Sequence, residues 1–188
     1  MQPSFPAFSS SFLLRELQRD ELALVWTIDR SEVIHRMCRV ENGKLERYAE
    51  FHDMHGWPDG EAEHYTPILF DCYDRGGYCA GLFDGERLIG AVIVDNRPLG
   101  LCADMVQLKF LHVSSAYRGR GAGLQLYHAA RARAAKAGAR RLYVSATPSE
   151  HTVDFYLALG FVLSLQPDPQ LFALEPEDIH LEGPVLGG

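Results

Sequence analysis

The chain has 188 residues, of which 47% are hydrophobic and 23% are charged, a balance typical of one globular domain, here residues 1–188. Its formal net charge of -7 excludes a general nucleic-acid binder, because such proteins need a basic surface to replace phosphate counterions. Because no apolar run approaches the roughly 18 residues of a membrane span and the first residues lack the basic start of a secretion signal, we expect a cytoplasmic protein that binds no membrane.

The first elements are a strand and two helices. Residues 12–17 are rich in strand-forming side chains, and Asp20 is expected to cap a helix that continues to residue 28. Apolar residues at helical spacing over residues 61–73 predict a second helix, which the following glycine pair ends.

Two hairpins are also predicted in this half of the chain. Asn42 and Gly43 separate two β-rich runs, and both residues of a tight hairpin turn must tolerate positive φ. This pair therefore predicts a hairpin over about residues 33–52, as an elaboration of a domain core at about residues 12–182. A second pair, Asp84 and Gly85, predicts a hairpin within residues 78–95.

The second half predicts a strand–helix–strand crossover followed by closing elements. In order, we expect a strand at 105–113, a helix at 123–136 closed by Gly138, a strand at 142–147, a helix at 150–159, and closing strands at 161–165 and around 171–181. The order of elements indicates a mixed α/β fold.

Charge is distributed unevenly along the chain. Residues 118–141 contain seven basic side chains and no acidic one, which suits a polyanionic small molecule. Residues 46–63 contain six acidic side chains and one arginine. This acidic stretch is either a lip that attracts a cationic acceptor or a solvated polar face.

A glycine-rich turn joins the strand at 105–113 to the next helix. Free backbone N–H groups and the positive end of a helix form an anion site, and glycine lets phosphate oxygens approach the backbone. A dinucleotide fingerprint is excluded because Leu124 stands where its third glycine would be. A P-loop is excluded because the chain contains no Gly-Lys-Ser or Gly-Lys-Thr.

The pattern Arg118-x-x-Gly121-x-Gly123 resembles motif A of the GNAT superfamily of N-acetyltransferases. Downstream, Phe155-Tyr156-x-x-x-Gly160-Phe161 is similar to a second pattern of that family in both spacing and residue type. The resemblance implies a single-domain acyl-CoA N-acyltransferase fold, with a central mixed, mostly antiparallel sheet that is splayed at the cofactor strand and flanked by helices. It also implies an enzyme that transfers the acetyl group of acetyl-CoA to a primary amine.

The resemblance further implies roles for matching positions. The turn is expected to bind the cofactor diphosphate, the strand end to hold the pantetheine arm and the thioester, and Tyr156 to donate a hydrogen bond to the leaving thiolate as the catalytic residue. Ser149 replaces a frequent asparagine that contacts the cofactor arm. The expected cofactor-binding residues are Leu111, His112, Val113, Arg118, Gly119, Arg120, Gly121, Ala122, Gly123, Leu124, Ser149 and Tyr156.

The sequence does not identify the general base. Gln107 stands where some members of the similar family have a glutamate, and an amide accepts no proton at neutral pH. Candidates by residue type and expected proximity are His112, His151, Asp95 and Glu150. The acceptor pocket is expected near Trp26, Asp29, Arg30 and Trp57. The expected partner is a small amine, and the acidic stretch favours a cationic one. A homodimer is also expected, because dimers are common among similar proteins. The alternative function is an acyl-CoA-binding sensor without turnover.

Cysteine and histidine spacing favours structural roles. The cysteines are far apart, form no CxxC pair and lie in apolar stretches, so we expect buried free thiols at Cys38, Cys72, Cys79 and Cys102. No two of the histidines at 35, 52, 55 and 64 have the i, i+4 spacing of a helical metal site, and no cysteine pair joins them, so we expect no metal site.

Overall fold

In the computed structural model, which describes residues 12–185, the strands form a seven-stranded sheet and a separate two-stranded sheet. The strands are β1 (Leu13–Glu16), β2 (Glu32–Glu41), β3 (Lys44–Met54), β4 (Tyr78–Asp84), β5 (Arg87–Val94), β6 (Met105–Val113), β7 (Arg141–Ala146), β8 (Val162–Leu163) and β9 (Ile179–Pro184). The α-helices are α1 (Glu61–Asp74), α2 (Ala122–Lys136), α3 (Glu150–Ala158) and α4 (Pro169–Leu174), and two 3-10 helices span Arg19–Thr27 and Ser115–Tyr117.

The large sheet has the order β1-β4-β5-β6-β7-β9-β8. Every neighbouring pair is antiparallel except β6 and β7, which are parallel because the crossover through α2 reverses the chain twice. The fold is therefore the expected mixed, mostly antiparallel arrangement.

The sheet opens between β6 and β7. These strands share only three residue pairs, from Met105 with Arg141 to Gln107 with Tyr143. Beyond them β7 pairs with β9, whereas β6 continues to Val113 with β5 on one side alone. The carboxyl-terminal half of β6 consequently presents a free edge toward the gap.

Two apolar cores hold helices on opposite faces of the sheet. One core packs α2 and α3 through residues such as Leu126, Tyr127 and Tyr156. The other packs the first 3-10 helix and α1 against side chains such as Phe110. Burial of these side chains is the dominant favourable contribution to folding, and it fixes α2 directly behind the open end of β6.

The hairpin of β2 and β3 forms a sheet of its own, with Asn42 (φ 50°) and Gly43 (φ 73°) in the left-handed conformation that its turn requires. The Cys38 amide donates a hydrogen bond to the Pro148 carbonyl (2.7 Å), which ties the hairpin to the segment before α3. One side of the cleft described below is thereby covered.

Three local expectations are wrong. The first helix is a 3-10 helix, and its amino-terminal cap is Gln18, whose side chain and that of Glu21 form a reciprocal capping box. Residues 169–174 are helical rather than extended, because Asp168 accepts hydrogen bonds from the amides of the first turn and a proline occupies its start. Cys102 is exposed, while the other three cysteines are buried.

The helices between residues 12 and 185 include none that is long and apolar enough to span a membrane.

Candidate active site

A cleft of about 390 Å³ lies where β6 separates from β7. Its lining brings together three parts of the expected site: the end of β6, the glycine-rich turn before α2, and Tyr156 from α3. The opposite wall contains Arg30, which precedes β2, and residues at the outer ends of the two hairpin strands. The parallel crossover from β6 through α2 to β7 brings the first three parts into one groove, and Arg30 joins them from a segment more than 80 positions before the end of β6.

The glycine-rich turn presents free amides to the cleft. Gln125 donates the first helical hydrogen bond of α2 to the Gly121 carbonyl (2.9 Å), so the amides of the preceding turn have no acceptor in the helix. Gly121 caps the helix without any side-chain hydrogen bond, and the first turn contains no acidic residue. This arrangement suits an anion.

Glycine is favoured here by backbone conformation, because Gly119 (φ 71°) and Gly121 (φ 82°) are both left-handed. A Cβ atom added to either would meet nothing within 4 Å among the described residues, so the space beside both glycines is open. The turn fits a diphosphate group.

The free edge of β6 provides the second element. Leu111 and Val113 both line the cleft, next to the gap in the sheet. An extended ligand with amide groups can take the place of the missing neighbouring strand there. The expected place for a pantetheine arm is therefore structurally open.

Tyr156 provides a hydroxyl group at the same opening. Its ring is only 6% exposed and packs against Phe155 and Phe161, with ring centroids 5.2 Å away in both cases. Burial raises the pKa of Tyr156 above its ordinary value, so the phenol stays protonated. Within residues 12–185 its hydroxyl makes no hydrogen bond, which leaves it available to a ligand.

His112 lies on the other face of the same strand end. Its ring packs on Trp57 and Phe110, at 4.9 and 4.6 Å between centroids. Burial, with the nearby Arg30 and Arg118 cations, lowers the pKa of His112 to about 3, so the imidazole is neutral near pH 7. A neutral imidazole that borders the cleft is able to accept a hydrogen bond.

Arg30 carries a charge into the cleft wall with acidic groups around it. Its guanidinium contacts Glu61 (3.0 Å) and Thr147 (3.4 Å) and lies over Trp57 (5.1 Å). Burial, together with the Glu175 carboxylate, raises the pKa of Asp178 to about 7, although Arg30 opposes this shift. Carboxyl groups therefore lie close to the Arg30 guanidinium on this side of the cleft.

The structure places other expected residues outside the cleft. The Ser149 hydroxyl caps α3, accepting from the Thr152 amide (3.3 Å), and its side chain is buried, so a contact with the cofactor arm is not supported. Trp26 donates to Thr66 (2.8 Å) and Trp57 to the Ile28 carbonyl (2.8 Å), and both rings belong to the core. Gln107 is buried in the paired part of β6.

Two of the four candidate bases also lie outside the cleft. Asp95 is buried, and although burial opposes ionisation, Arg75 (2.9 Å) and Lys109 hold its pKa at about 2. Glu150 contacts Arg36 and Arg47 on the hairpin. Only His112 and His151 of the four border the cleft.

Four lining residues were not singled out from the sequence: Glu32 at the start of β2, Met54 at the end of β3, Thr147 just after β7, and Thr152 in α3. Their position depends on contacts between distant segments, and none of them belongs to a local motif.

Residues 43–161 match the family model described as the acetyltransferase (GNAT) family. No curated protein sequence matches the chain significantly. Among solved structures, the chain is similar to nourseothricin acetyltransferase, with 19% identity, a TM-score of 0.70, and coverage of 93% of this chain and 99% of that one.

Two further structures are similar over nearly the whole chain. A protein assigned as a streptothricin acetyltransferase from Bacillus anthracis, solved with acetyl coenzyme A, has 16% identity and a TM-score of 0.63, covering 92% of this chain and 97% of that one. The PaiA N-acetyltransferase from Thermoplasma acidophilum, solved with coenzyme A, has 16% identity and a TM-score of 0.61, covering 93% and 99%. At such identities the likeness concerns the fold, and it confirms the expected α/β architecture.

Proposed function

Because the chain belongs to the GNAT family of acetyltransferases, we propose that it acetylates a primary amine of a small, cationic acceptor. Enzymes of this family use acetyl-CoA, which is therefore the acetyl donor. The observation that carries the proposal is the single cleft in which free turn amides, an open strand edge and the Tyr156 hydroxyl converge.

Acetyl-CoA supplies a thioester whose carbonyl carbon is open to attack by a neutral amine. The amides of residues 119–124 bind its diphosphate, and the edge at Leu111 and Val113 orients the arm. As the bond from carbon to sulfur breaks, Tyr156 would donate its proton to the departing sulfur, a role that needs a phenol that is still protonated at neutral pH. The proton that the attacking nitrogen loses as the amide forms would return to the phenolate through solvent, so that coenzyme A leaves as the thiol and Tyr156 is restored. Transfer is direct, and no residue of the chain becomes acetylated.

The acceptor amine must be uncharged when it attacks. His112 stays neutral and borders the cleft, so it can accept a hydrogen bond from the amine nitrogen. His151 also borders the cleft, but its side chain is exposed to solvent. We propose His112 as the group that holds the amine.

The cationic character of the acceptor is supported by charge. Glu32 borders the cleft, Glu61 lies beside Arg30 (3.0 Å), and the carboxyl of Asp178 is close enough to Glu175 and Glu61 for its pKa to be raised. These carboxylates would attract a positively charged acceptor. The names of two similar structures point the same way, since nourseothricin and streptothricin are their acceptors.

Thiol release tests the proposal. Purified protein is incubated with acetyl-CoA and a panel of amines that includes streptothricin-type antibiotics, diamines, amino acids and neutral primary amines of equal size, and free thiol is measured with a disulfide reagent. Turnover with cationic amines, confirmed by mass spectrometry of the product, is the expected result. A preference for neutral or anionic amines would contradict the acceptor class. Binding of coenzyme A without thiol release from any amine would favour a binding module.

Three further expectations accompany this function. The buried free thiols Cys38, Cys72 and Cys79 support action in the cytoplasm, where cysteines stay reduced. A single catalytic domain over residues 1–188 and a homodimer in solution are tested by limited proteolysis and by light scattering.

A further inference from the structure

The side chain of Arg118 points away from the turn that it opens. Its Nε donates to the Val113 carbonyl (3.1 Å) and its Nη1 donates to the Ser31 carbonyl (3.1 Å), with the Glu32 carboxylate 3.7 Å from the same nitrogen. The guanidinium therefore joins the end of β6 to residues 29–32, which lie more than 80 positions earlier in the chain.

Asp29 makes a second connection between the same segments. Its amide donates to the Ser114 hydroxyl (3.0 Å), its carbonyl accepts from the Ser115 amide (2.9 Å), and its carboxylate accepts from the Ser115 hydroxyl. The carboxylate also accepts from the Ser31 amide (2.9 Å). Residues 29–32 are thus bonded to residues 113–118 at both the backbone and the side-chain level.

The two joined segments serve different sides of the cleft. Residues 113–118 lead directly into the glycine-rich turn, whereas residues 29–32 present Arg30 and Glu32 to the acceptor side. A shift of the turn on binding an anion would be transmitted through these bonds to the acceptor wall.

We propose that Arg118 is a positioning residue that couples the two sides: its guanidinium holds the acceptor wall at residues 29–32 in place against the cofactor turn, and Asp29 supports the same junction. This inference rests on the proposed function for the identity of the two ligands. It differs from a direct contact between the Arg118 side chain and the diphosphate.

A comparison of two acetyl donors distinguishes the positioning role of Arg118 from a direct contact with the diphosphate. S-acetylpantetheine has the thioester and the arm of acetyl-CoA but no diphosphate. Arg118→Met should raise the KM of the amine acceptor about tenfold with either donor, since coupling between sites is typically of this size. Arg118→Lys should restore only part of the loss, because an ammonium cannot contact two carbonyls in the geometry of the fork. Arg133→Met on the far part of α2 is the matched control and should leave both KM values unchanged.

Asp29→Asn provides an independent variant. It should raise the acceptor KM in the same direction, and the double variant Arg118→Met/Asp29→Asn should lose less than the product of the two single losses. If Arg118→Met raises only the KM of acetyl-CoA and has no effect with S-acetylpantetheine, the guanidinium acts on the diphosphate and the proposal is overturned.

Hydrogen–deuterium exchange tests the junction without any catalysis. Coenzyme A should slow amide exchange at residues 29–32 in the wild-type protein, and this protection should be absent in Arg118→Met even where the turn itself is still protected. Equal protection in both proteins would overturn the proposal. Thiol release by the wild-type protein is scored separately, so a wrong acceptor or a missing activity is distinguished from a missing junction.

Discussion

Tyr156 combines a buried ring with a hydroxyl that is free to act. Its neighbours Phe155 and Phe161 fix the ring, so the hydroxyl direction is set by packing rather than by a hydrogen bond. A donor that is fixed in this way loses little entropy when the leaving sulfur reaches it.

Replacement of Tyr156 by phenylalanine should therefore affect chemistry and spare folding. We expect kcat to fall on the order of 100-fold, as for loss of a general acid, with little change in the KM of acetyl-CoA or in thermal stability. Initial rates of thiol release and a melting curve measure both quantities.

Tyr143→Phe is the matched control. The Tyr143 hydroxyl pairs with His180 (2.7 Å) and accepts from the Asp168 amide (3.1 Å), so its removal should lower the free energy of unfolding by about 1 kcal/mol and leave kcat unchanged. An unaltered kcat in Tyr156→Phe would show that another group protonates the sulfur.

At the level of elements, α2 begins and ends with glycines of the same conformation. Gly121 (φ 82°) precedes its first residue and Gly138 (φ 85°) follows its last turn, and a Cβ atom at either would meet nothing within 4 Å. The two positions impose equal strain on alanine, and only the first faces the cleft.

Because Gly121 and Gly138 share the same conformation, they provide a controlled test of the diphosphate site. Gly121→Ala and Gly138→Ala should each cost about 1 kcal/mol of stability, because an L-residue is strained at positive φ. Only Gly121→Ala should also raise the KM of acetyl-CoA, by roughly tenfold, as its methyl group covers the amides. Urea unfolding and steady-state kinetics measure these effects. Equal KM values for both variants would place the anion elsewhere.

Local sequence signals predicted the elements that carry the chemistry. The strand 105–113, the turn after it and the helix carrying Tyr156 follow from hydrophobic runs, glycines and caps within a few residues of each other. A strand was predicted around residues 171–181, but its first part lies in α4 (Pro169–Leu174), for which Asp168 followed by proline is a helix-start signal.

Contacts between distant segments could not be predicted in this way. The guanidinium of Arg118 bonds to the Ser31 carbonyl and the Ser149 hydroxyl is used within α3, and no spacing in the sequence indicates either partner. The low pKa of His112 also depends on distant segments, because burial and then the Arg30 and Arg118 cations lower it. Sequence motifs thus indicated residues of the site, but not the groups to which their side chains are hydrogen-bonded.

At the scale of the whole molecule, a chain with a formal net charge of -7 contains one carboxyl group that the fold makes harder to ionise. Asp178 has a pKa near 7 because it is partly buried beside Glu175, with only Arg30 to oppose this effect. In the unfolded chain the same carboxyl has the ordinary aspartate pKa of about 4. The folded state therefore binds the proton more tightly, and this group's contribution to stability declines as pH rises from about 4 to about 7.

Asp178→Asn removes this penalty. Relative to wild type, the variant should be more stable by about 1 kcal/mol or more at pH 8, and the difference should shrink toward pH 4.5. Urea unfolding at the two pH values measures it. Glu175→Gln, which removes the neighbouring charge, should weaken the pH dependence of the difference. A gain that is the same at both pH values would mean that Asp178 ionises normally.

The gap between β6 and β7 leaves the large sheet as two halves that share three residue pairs. We propose that the pantetheine arm of coenzyme A lies in this gap, takes the place of a strand and bridges the halves. Coenzyme A is then part of the architecture as well as a reactant, and the melting temperature should rise with its concentration according to mass action. Release of coenzyme A would accordingly remove this link between the two halves of the sheet in every catalytic cycle.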